Sequence, residues 1–361
     1  MNALKKFTRS QLFMPVVCVV LVLLINVVYD VAQGRPFYEF FRIYLSDAAE
    51  PVLQGRLISI LNRGSEVAIL AIGMTLVVSA SAGTDISVGS VMSLCACVCC
   101  TVLAGDMAPQ TTELAVPLIV GILAGLVVGC LCGAFNGFLV ANLNIQPMVA
   151  TLILYSAARA IGLLVNHDFI IYVRNDTFAV LGGYVGPVPT PIIIAAACIL
   201  IALVVLKKTA LGMYIQSVGI NRKASRIAGL NSTLIIFVCY LICGLCAGMS
   251  GVVASSRITS ADPAAIGLTF EMDAILAVAI GGNSLGGGKF NLAGSIIGAY
   301  TIQAITTTMY NLGISSAVTP VFKAVIIIVI VVVQAPPVKA YFARRRAARA
   351  LPTAKKEAAS V

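Results

Sequence analysis

The chain has 361 residues, of which 60% are hydrophobic and only 11% are charged, and its mean hydropathy is +1.01. Soluble domains carry about 45–50% apolar and about 25% charged residues, so this composition excludes a soluble protein and predicts a polytopic membrane protein. The net charge of +10 arises from Lys and Arg residues next to apolar segments, which is typical of cytoplasmic loops and not of a nucleic-acid-binding surface.

The first apolar run covers residues 12–29 and follows a basic N-terminal stretch. It is longer than the core of a signal peptide, and no small-residue cleavage site follows it, so we expect it to remain as the first span. The run at 270–283 is short enough that it either crosses the membrane or re-enters it. The sequence therefore predicts an all-α protein with about ten transmembrane helices. The nine later runs lie at 64–82, 88–104, 115–141, 148–165, 191–206, 233–255, 270–283, 293–310 and 318–334.

The distribution of positive charge predicts the orientation. Ten crossings from a cytoplasmic N-terminus return the C-terminus to the cytoplasm, and on this topology sixteen Lys and Arg residues lie inside and six outside. Cytoplasmic loops near membrane spans carry such an excess of Lys and Arg. We therefore expect a transmembrane domain over residues 1–335 and a basic cytoplasmic tail over residues 336–361.

The run at 115–141 carries a glycine at every fourth position. Four residues are slightly more than one helical turn, so these glycines share one face of a helix. Small residues let two helix backbones approach closely, which is a main source of attraction between helices in lipid. The pattern predicts a closely packed helix pair in the bundle core. The glycines are Gly121, Gly125, Gly129, Gly133 and Gly137.

Two stretches of the chain resemble each other. Both "ILAIGMTLVVSASAGTDISVGS" and "ILAVAIGGNSLGGGKFNLAGS" pass from an apolar helix into a Gly- and Ser-rich interruption and then into a new helix. Paired interruptions of this kind are typical of transporters built from internal repeats, where they lie near the substrate site.

Polar residues in or beside apolar runs are the candidates for a translocation pathway. Charge in hydrocarbon costs several kcal/mol, so such groups face a cavity or a neighbouring helix. Asp85 has a structural alternative, which is to cap the helix that begins at Ser87. Arg159 also has one, which is to pair with a carboxylate or with backbone carbonyls. The candidates are Asp85, Asn136, Gln146, Arg159, Glu271, Asp273 and Asn283.

No constellation in the sequence indicates an enzyme, a cofactor site or a metal site. The single histidine, His167, has no His or Cys partner at metal-ligand spacing, and Cys97 and Cys100 form an isolated C-x-x-C motif. "NSLGGGKF" lacks the first Gly and the Ser or Thr after Lys that a phosphate-binding loop requires. The chain is therefore not expected to bind ATP, and any ATP-driven step must come from partner subunits.

Residues 212–231 are predicted to form a cytoplasmic segment with a short amphipathic helix. Asn221 caps this helix, and Ile220, Ala224 and Ile227 lie on one side, with a basic rim of Arg222, Lys223 and Arg226 on the other. The segment either docks on an ATPase subunit or grips anionic lipid. The candidate coupling residues are Gly212, Ile220, Asn221, Arg222, Ala224, Ile227 and Gly229.

Several long blocks resemble the permease subunits of bacterial carbohydrate ABC importers of the ribose and galactofuranose type. They include "LAIGMTLVVSASAGTDISVGSVMSL", "NGFLVANLNIQPMVATLILYSAARAI" and "TALGMYIQSVGINRKASRIAGLN", and the resemblance covers residues 57–335. "KTALGM", "VGIN" and "IQPMVATLIL" look most like the galactofuranose permeases. One departure is "SAGTDIS", which stands where the family has "GGIDLS" and puts Ser81, Ala82 and Thr84 in place of Gly, Gly and Ile.

The resemblance implies a multi-pass protein of the bacterial inner membrane that moves a monosaccharide by alternating access. It also implies a periplasmic sugar-binding protein, a second permease subunit that is identical or homologous, and cytoplasmic ATPase subunits that act through the segment near 212–231. Within the same class, ribose, another sugar, an amino acid or an autoinducer is the alternative substrate. A proton-coupled secondary transporter, with Asp85 or Asp273 as proton carrier, is the alternative mechanism.

Overall fold

The computed structural model describes residues 13–46, 51–105, 109–315 and 317–334. The predicted cytoplasmic tail at 336–361 and the basic N-terminal stretch lie outside these residues. The described chain forms one unit up to Thr308 and a second unit from Met309 onward. The proposed domain boundary at residue 335 stays a prediction.

Helices dominate the described residues, and each of the ten predicted runs contains one. The helices are α1 Phe13–Ala32, α2 Arg56–Ser81, α3 Val88–Ala104, α4 Leu118–Ala141, α5 Pro147–Val165, α6 Asp176–Ala179, α7 Thr190–Lys208, α8 Leu211–Ile220, α9 Arg222–Ile227, α10 Ser232–Ile258, α11 Phe270–Ile280, α12 Leu292–Asn311 and α13 Thr319–Gln334, with a 3-10 turn at Glu39–Phe41.

In the described residues each strand is only two or three residues long and lies in a loop between helices. Two hairpins, β1 with β2 and β5 with β6, are antiparallel, and a three-stranded sheet has the order β3-β4-β7. In that sheet Gln110 is opposite Tyr172 in parallel, and Tyr172 is opposite Ser260 in antiparallel register. The strands are β1 Tyr44–Leu45, β2 Leu53–Gln54, β3 Gln110–Thr111, β4 Ile171–Val173, β5 Tyr184–Val185, β6 Val188–Pro189 and β7 Ser260–Ala261.

The lengths of the helices refine the predicted count of spans. Six helices in the described chain, α1, α2, α4, α5, α7 and α10, are long and apolar enough to cross a membrane. By contrast, α11 has 11 residues. At 1.5 Å per residue it is about 16 Å long, roughly half the hydrocarbon thickness of about 30 Å. Alone it does not cross, so the count of about ten spans is approximate.

The glycine face of α4 packs where the sequence predicts. A Cβ on Gly129 would lie 2.5 Å from the Gly244 carbonyl oxygen of α10 and 3.3 Å from Cys95 of α3. A Cβ on Gly133 would collide with the carbonyl oxygen of Tyr240, also on α10. The backbones of α4 and α10 therefore touch along this face, and the opposite face of α4 is exposed and apolar.

The loops of the first unit gather at its two ends. At one end the three-stranded sheet joins the loops after α3, α5 and α10. At the other end the backbone amide of Gly288 donates to the carbonyl oxygen of Ser79 over 3.0 Å, and Gly219 packs against both residues. Arg222 reaches Ala141 at this second end. We call the first the sheet end and the second the α9 end.

Candidate functional site

Residues 82–87, here called the first break, interrupt the chain between α2 and α3. Ala82 ends α2 in the left-handed conformation, with φ of 54°. Asp85 is only 3% exposed, and its Oδ1 accepts from the amide of Ser87 at 2.9 Å and from its hydroxyl at 2.6 Å. The carboxylate therefore holds the turn that starts α3, in agreement with the structural alternative for Asp85.

Asn136 ties α4 to the first break. Its Nδ2 donates to Ser87 Oγ at 2.9 Å and to Asp85 Oδ2 at 3.5 Å. From α5, Thr151 Oγ1 accepts the amide of Ile86 at 3.1 Å. Asn136 lies on the glycine face of α4, so the packing of that face places its amide beside the break. The sequence candidates Asp85 and Asn136 thus come together.

Residues 262–269, here called the second break, lie between β7 and α11. Arg159 of α5 donates through Nη1 to the carbonyl oxygens of Pro263 at 2.6 Å and Ala264 at 3.2 Å. Ser93 of α3 donates to the same Pro263 oxygen at 3.0 Å. These donors satisfy carbonyls that no helix uses, which agrees with the carbonyl alternative for Arg159. Sequence reasoning missed this break, although Pro263 and Gly267 signalled it.

The second break meets the start of α3, directly after the first break, where Gly267 packs against Gly89. A Cβ on either glycine would collide with the backbone of the other, and a Cβ on Gly89 would also collide with the carboxylate of Glu271. From this point α3 runs toward the sheet end, where Thr101 donates to Asn166 at 3.1 Å, and α11 runs toward the α9 end. Two helix N-termini, each with a partial positive charge, therefore converge beside a buried carboxylate.

Several polar atoms around this meeting point have no hydrogen-bond partner among the described residues. They are Ser90 Oγ, Asn136 Oδ1, Glu271 Oε2 and the Nε and Nη2 atoms of Arg159. Glu271 is 5% exposed, and Asp273, two residues further along α11, is also buried. Because unpaired buried polar groups are costly, this cluster makes the meeting point a candidate site for a polar ligand.

The other two pathway candidates lie toward the α9 end. Asn283 is buried in the α11–α12 loop, residues 281–291, where Nδ2 donates to Ser295 Oγ at 2.7 Å and Oδ1 accepts the amide of Asn291. Thr75 of α2 donates to the same Ser295 hydroxyl at 2.7 Å. Gln146 lines an open groove of about 240 Å³ together with Arg222. Neither side chain touches the meeting point of the breaks through a described contact.

The predicted amphipathic helix is α9. Asn221 Oδ1 accepts the amide of Ala224 at 3.0 Å, which is the predicted N-cap, and Gly229 follows the helix with φ of +85°. On the predicted apolar side Ile220 is 65% and Ile227 is 89% exposed. Ile220 at the end of α8 and Ile227 at the end of α9 are thus both exposed at one end of the unit.

Two arginines of the predicted basic rim make hydrogen bonds within the chain. Arg222 Nη2 donates to the Ala141 carbonyl at 2.7 Å and Nη1 to Asn144 Oδ1 at 2.9 Å. Arg226 Nε donates to Ser232 Oγ at 2.9 Å. Arg222 is therefore hydrogen-bonded within the chain, and the role of the basic rim stays a prediction. The helical pattern showed its side of α9 but not the α4–α5 loop that lies there.

Glycines bring the segment that carries α9 into backbone contact with α2, α7 and the α11–α12 loop. Gly219 has no room for a side chain against the Ser79 carbonyl, and a Cβ would lie 2.7 Å from the Gly288 amide. A Cβ on Gly212 would lie 2.5 Å from the carbonyl of Leu206, at the end of α7. The end of α2, the α11–α12 loop and α8 are therefore in direct backbone contact.

Two ion pairs lie in helices that sequence reasoning had treated as apolar. Arg257 pairs with Glu66 at 2.9 Å, and Arg56 pairs with the buried Asp30 at 2.7 Å. The available signal was an acidic residue directly after one apolar run, Asp30, and another inside a second run, Glu66. Within the described residues, no group of three or more His, Cys, Asp or Glu side chains is placed to hold a metal ion.

The chain matches the family described as the permease component of the branched-chain amino acid transport system over residues 56–333. It is 40% identical over 288 residues to the galactofuranose transporter permease of Escherichia coli K12, covering 80% of this chain and 81% of that protein. It is 35% identical over 334 residues to the fructose import permease of Bifidobacterium longum, covering 90% and 88%.

A third relative is the ribose import permease of Escherichia coli K12, 34% identical over 275 residues, which cover 75% of this chain and 82% of that protein. No solved structure matches the chain. The matched region contains both breaks, α9 and the glycine face of α4. The family and the relatives are transport permeases and not enzymes, and the chain belongs to this family of permease components, as a multi-pass protein of the inner membrane.

Proposed function

We propose that the chain is the membrane-spanning permease subunit of an ABC importer for a monosaccharide, galactofuranose or a similar sugar. The observation that carries this proposal is the 40% identity to the galactofuranose permease over 80% of the chain. Fructose and ribose are the next candidates, since the other relatives are permeases for those sugars. Partners are a cytoplasmic ATPase, a periplasmic sugar-binding protein and a second permease subunit.

The meeting point of the two breaks is proposed as part of the sugar pathway. Sugar hydroxyls both donate and accept hydrogen bonds, and the unpaired groups here include acceptors at Glu271 and Asn136 and donors at Arg159. When the breaks separate, these groups become accessible to hydroxyls. In this scheme Asp85 and Asn283 hold the loops at either side, and Gln146 lines the α9 end of the path.

The α9 end is proposed to face the cytoplasm, with both chain termini on the same side. This orientation follows the excess of Lys and Arg on that side. ATPase movement would then reach α9 first, with Ile220, Ala224 and Ile227 as the docked face. Gly219 would transmit this movement to Ser79 at the end of α2 and to Gly288 before α12. Arg222 would transmit the movement to the α4–α5 loop. The first connection leads to the first break and the second to the loop after α11. The third leads to α4 and α5, whose side chains contact the breaks.

Uptake of radiolabelled sugars tests this function. Cells that lack their own importers receive this chain with the ATPase and binding-protein genes found beside its own, and uptake of galactofuranose, fructose and ribose is compared. Galactofuranose uptake is expected, and it should stop on ATP depletion but persist when an uncoupler collapses the proton gradient at constant ATP. Loss with the uncoupler alone would favour the proton-coupled mechanism. Uptake of only fructose or ribose would reassign the sugar.

A further inference from the structure

A second cavity lies on the side of the first unit, away from both breaks. It is a groove of about 340 Å³ between α2, α7 and α10, and Leu211, the first residue of α8, also lines it. On α7 its lining includes Ala202, Val205 and Leu206, which share a helix face at i, i+3 and i+4. Every lining side chain is apolar or a cysteine.

The floor of the groove is the packed core of the unit. Ile69 and Ile72 of α2 form part of it and are buried. Beside them α2 and α10 are in backbone contact, since a Cβ on Gly73 would lie 2.7 Å from Cys243. A cavity of about 150 Å³ that is lined by apolar side chains stays dry and binds benzene. A groove of more than twice that volume with an apolar lining therefore favours a hydrocarbon occupant over water.

Two lysines stand at one end of the groove. Lys207 and Lys208 follow the lining residue Leu206 directly, and both are exposed at the last turn of α7. In the described part of the chain neither ammonium makes an ion pair. The α7 lining from Cys198 to Leu206 is about 12 Å long at 1.5 Å per residue. An apolar slot of this length ending in two free cations matches a phospholipid with an anionic headgroup.

We propose that this groove binds one acyl chain of an anionic phospholipid, with the lipid phosphate held by Lys207 and Lys208. The lipid would touch Leu211, and Gly212 next to it packs on the Leu206 carbonyl. The bound lipid therefore contacts the start of the helix pair α8 and α9. The proposal depends on the membrane location of the chain and not on the transported sugar.

Retention of lipid by the purified protein tests the site. The full chain is expressed in membranes containing phosphatidylglycerol and phosphatidylethanolamine, purified through extended detergent exchange, and analysed for bound lipid by mass spectrometry. Ala202→Trp fills the groove, and Leu200→Trp is the matched control because Leu200 is 63% exposed on the other side of α7. The milder Ala202→Leu is included in case the tryptophan variant does not fold.

Wild type and Leu200→Trp are expected to retain phosphatidylglycerol, whereas both Ala202 variants lose it. Replacing Lys207 and Lys208 together by Ala should lower phosphatidylglycerol retention about 25-fold, since each lysine near an anionic headgroup contributes about a factor of five. Equal retention by folded Ala202 variants, or no preference over phosphatidylethanolamine in wild type, would overturn the proposal. If Ala202→Leu keeps its lipid but no longer forms a dimer that can be crosslinked, the groove is instead the contact with a second copy of the chain.

Discussion

The meeting point of the two breaks and the segment around α9 are built on opposite principles. At the meeting point glycine backbones touch, and carboxylate, amide and guanidinium groups are buried with unused hydrogen-bonding capacity. Around α9 the backbone is fully capped, while Ile220 and Ile227 are exposed. The first region contains buried polar atoms without hydrogen-bond partners, and the second region carries exposed apolar side chains.

From this difference we propose two kinds of functional site in one chain. Buried polar groups that lack partners are suited to a small polar ligand, because a ligand restores the lost hydrogen bonds. Exposed aliphatic side chains at a capped helix are suited to a protein partner. Substitutions should therefore damage folding in the first region and association in the second, and this contrast can be tested at single residues.

The largest effect is expected from Gly267→Ala. Gly267 has φ of +70°, and its Cβ would collide with the Gly89 carbonyl, so the substitution adds both backbone strain and steric overlap. We expect a loss of roughly 3 kcal/mol or more, enough to reduce the folded protein severely. Fluorescence-detected size exclusion after heating of detergent-solubilised membranes measures it.

Gly186→Ala is the matched control, because Gly186 also has positive φ, +58°, but nothing lies within 4 Å of its added Cβ. It carries only the cost of the left-handed conformation, about 1–2 kcal/mol. If both variants lose stability equally, the two breaks are not in the close contact described here.

A smaller but still severe effect is expected from Gly129→Leu. The added side chain would meet the Gly244 carbonyl and Gly248 of α10, where no flexible side chain can yield. Overpacking typically costs about 1–3 kcal/mol, and a backbone obstacle puts this site at the upper end. The amount of protein in the membrane and its melting temperature are the measurements. Ala134→Leu on the same helix is the control, since Ala134 is half-buried, and normal levels of both variants would contradict the packing.

The sequence was sufficient for features that depend on local pattern. The glycine spacing of α4 predicted its packed face, and Asn221 with Gly229 predicted the bounds of α9, because helix periodicity and caps are read from neighbouring residues. Features that depend on distant contacts were not accessible. The approach of Gly89 to Gly267 joins positions 178 residues apart, and the pairing of Glu66 with Arg257 spans 191.

The same limit explains why the sequence did not name the partners of Arg222. A helical wheel assigns a side chain to one side of α9 but not to a neighbour, and here the neighbour is the α4–α5 loop at Ala141 and Asn144. The short length of α11 agrees with the re-entrant alternative for this run, because 14 residues are fewer than the roughly 17 that the shortest spans need.

In the second region, Ala224→Asp should separate folding from association. Ala224 is exposed in the first turn of α9, where an acidic residue is favourable for the helix dipole, so the protein should remain folded. In a docked interface the carboxylate would be buried without a partner. Copurification of the ATPase should fall about tenfold or more, and sugar uptake should fall with it. Undiminished copurification and uptake would leave lipid contact as the role of α9.

The smallest effect is expected from Arg222→Ala, and it distinguishes anchoring from docking. Arg222 holds the segment to the α4–α5 loop through two hydrogen bonds, and a bond to a charged group is worth about 1.5–3 kcal/mol. Because the exposed face with Ile220 and Ile227 remains intact, ATPase copurification should stay normal while sugar uptake per ATP hydrolysed falls a few-fold. Lys223→Ala is the control, since Lys223 is exposed on the same short helix, and it should change only the salt dependence of association. Equal effects of the two variants on uptake would mean that Arg222 acts as a surface charge and that movement reaches the breaks through Gly219 alone.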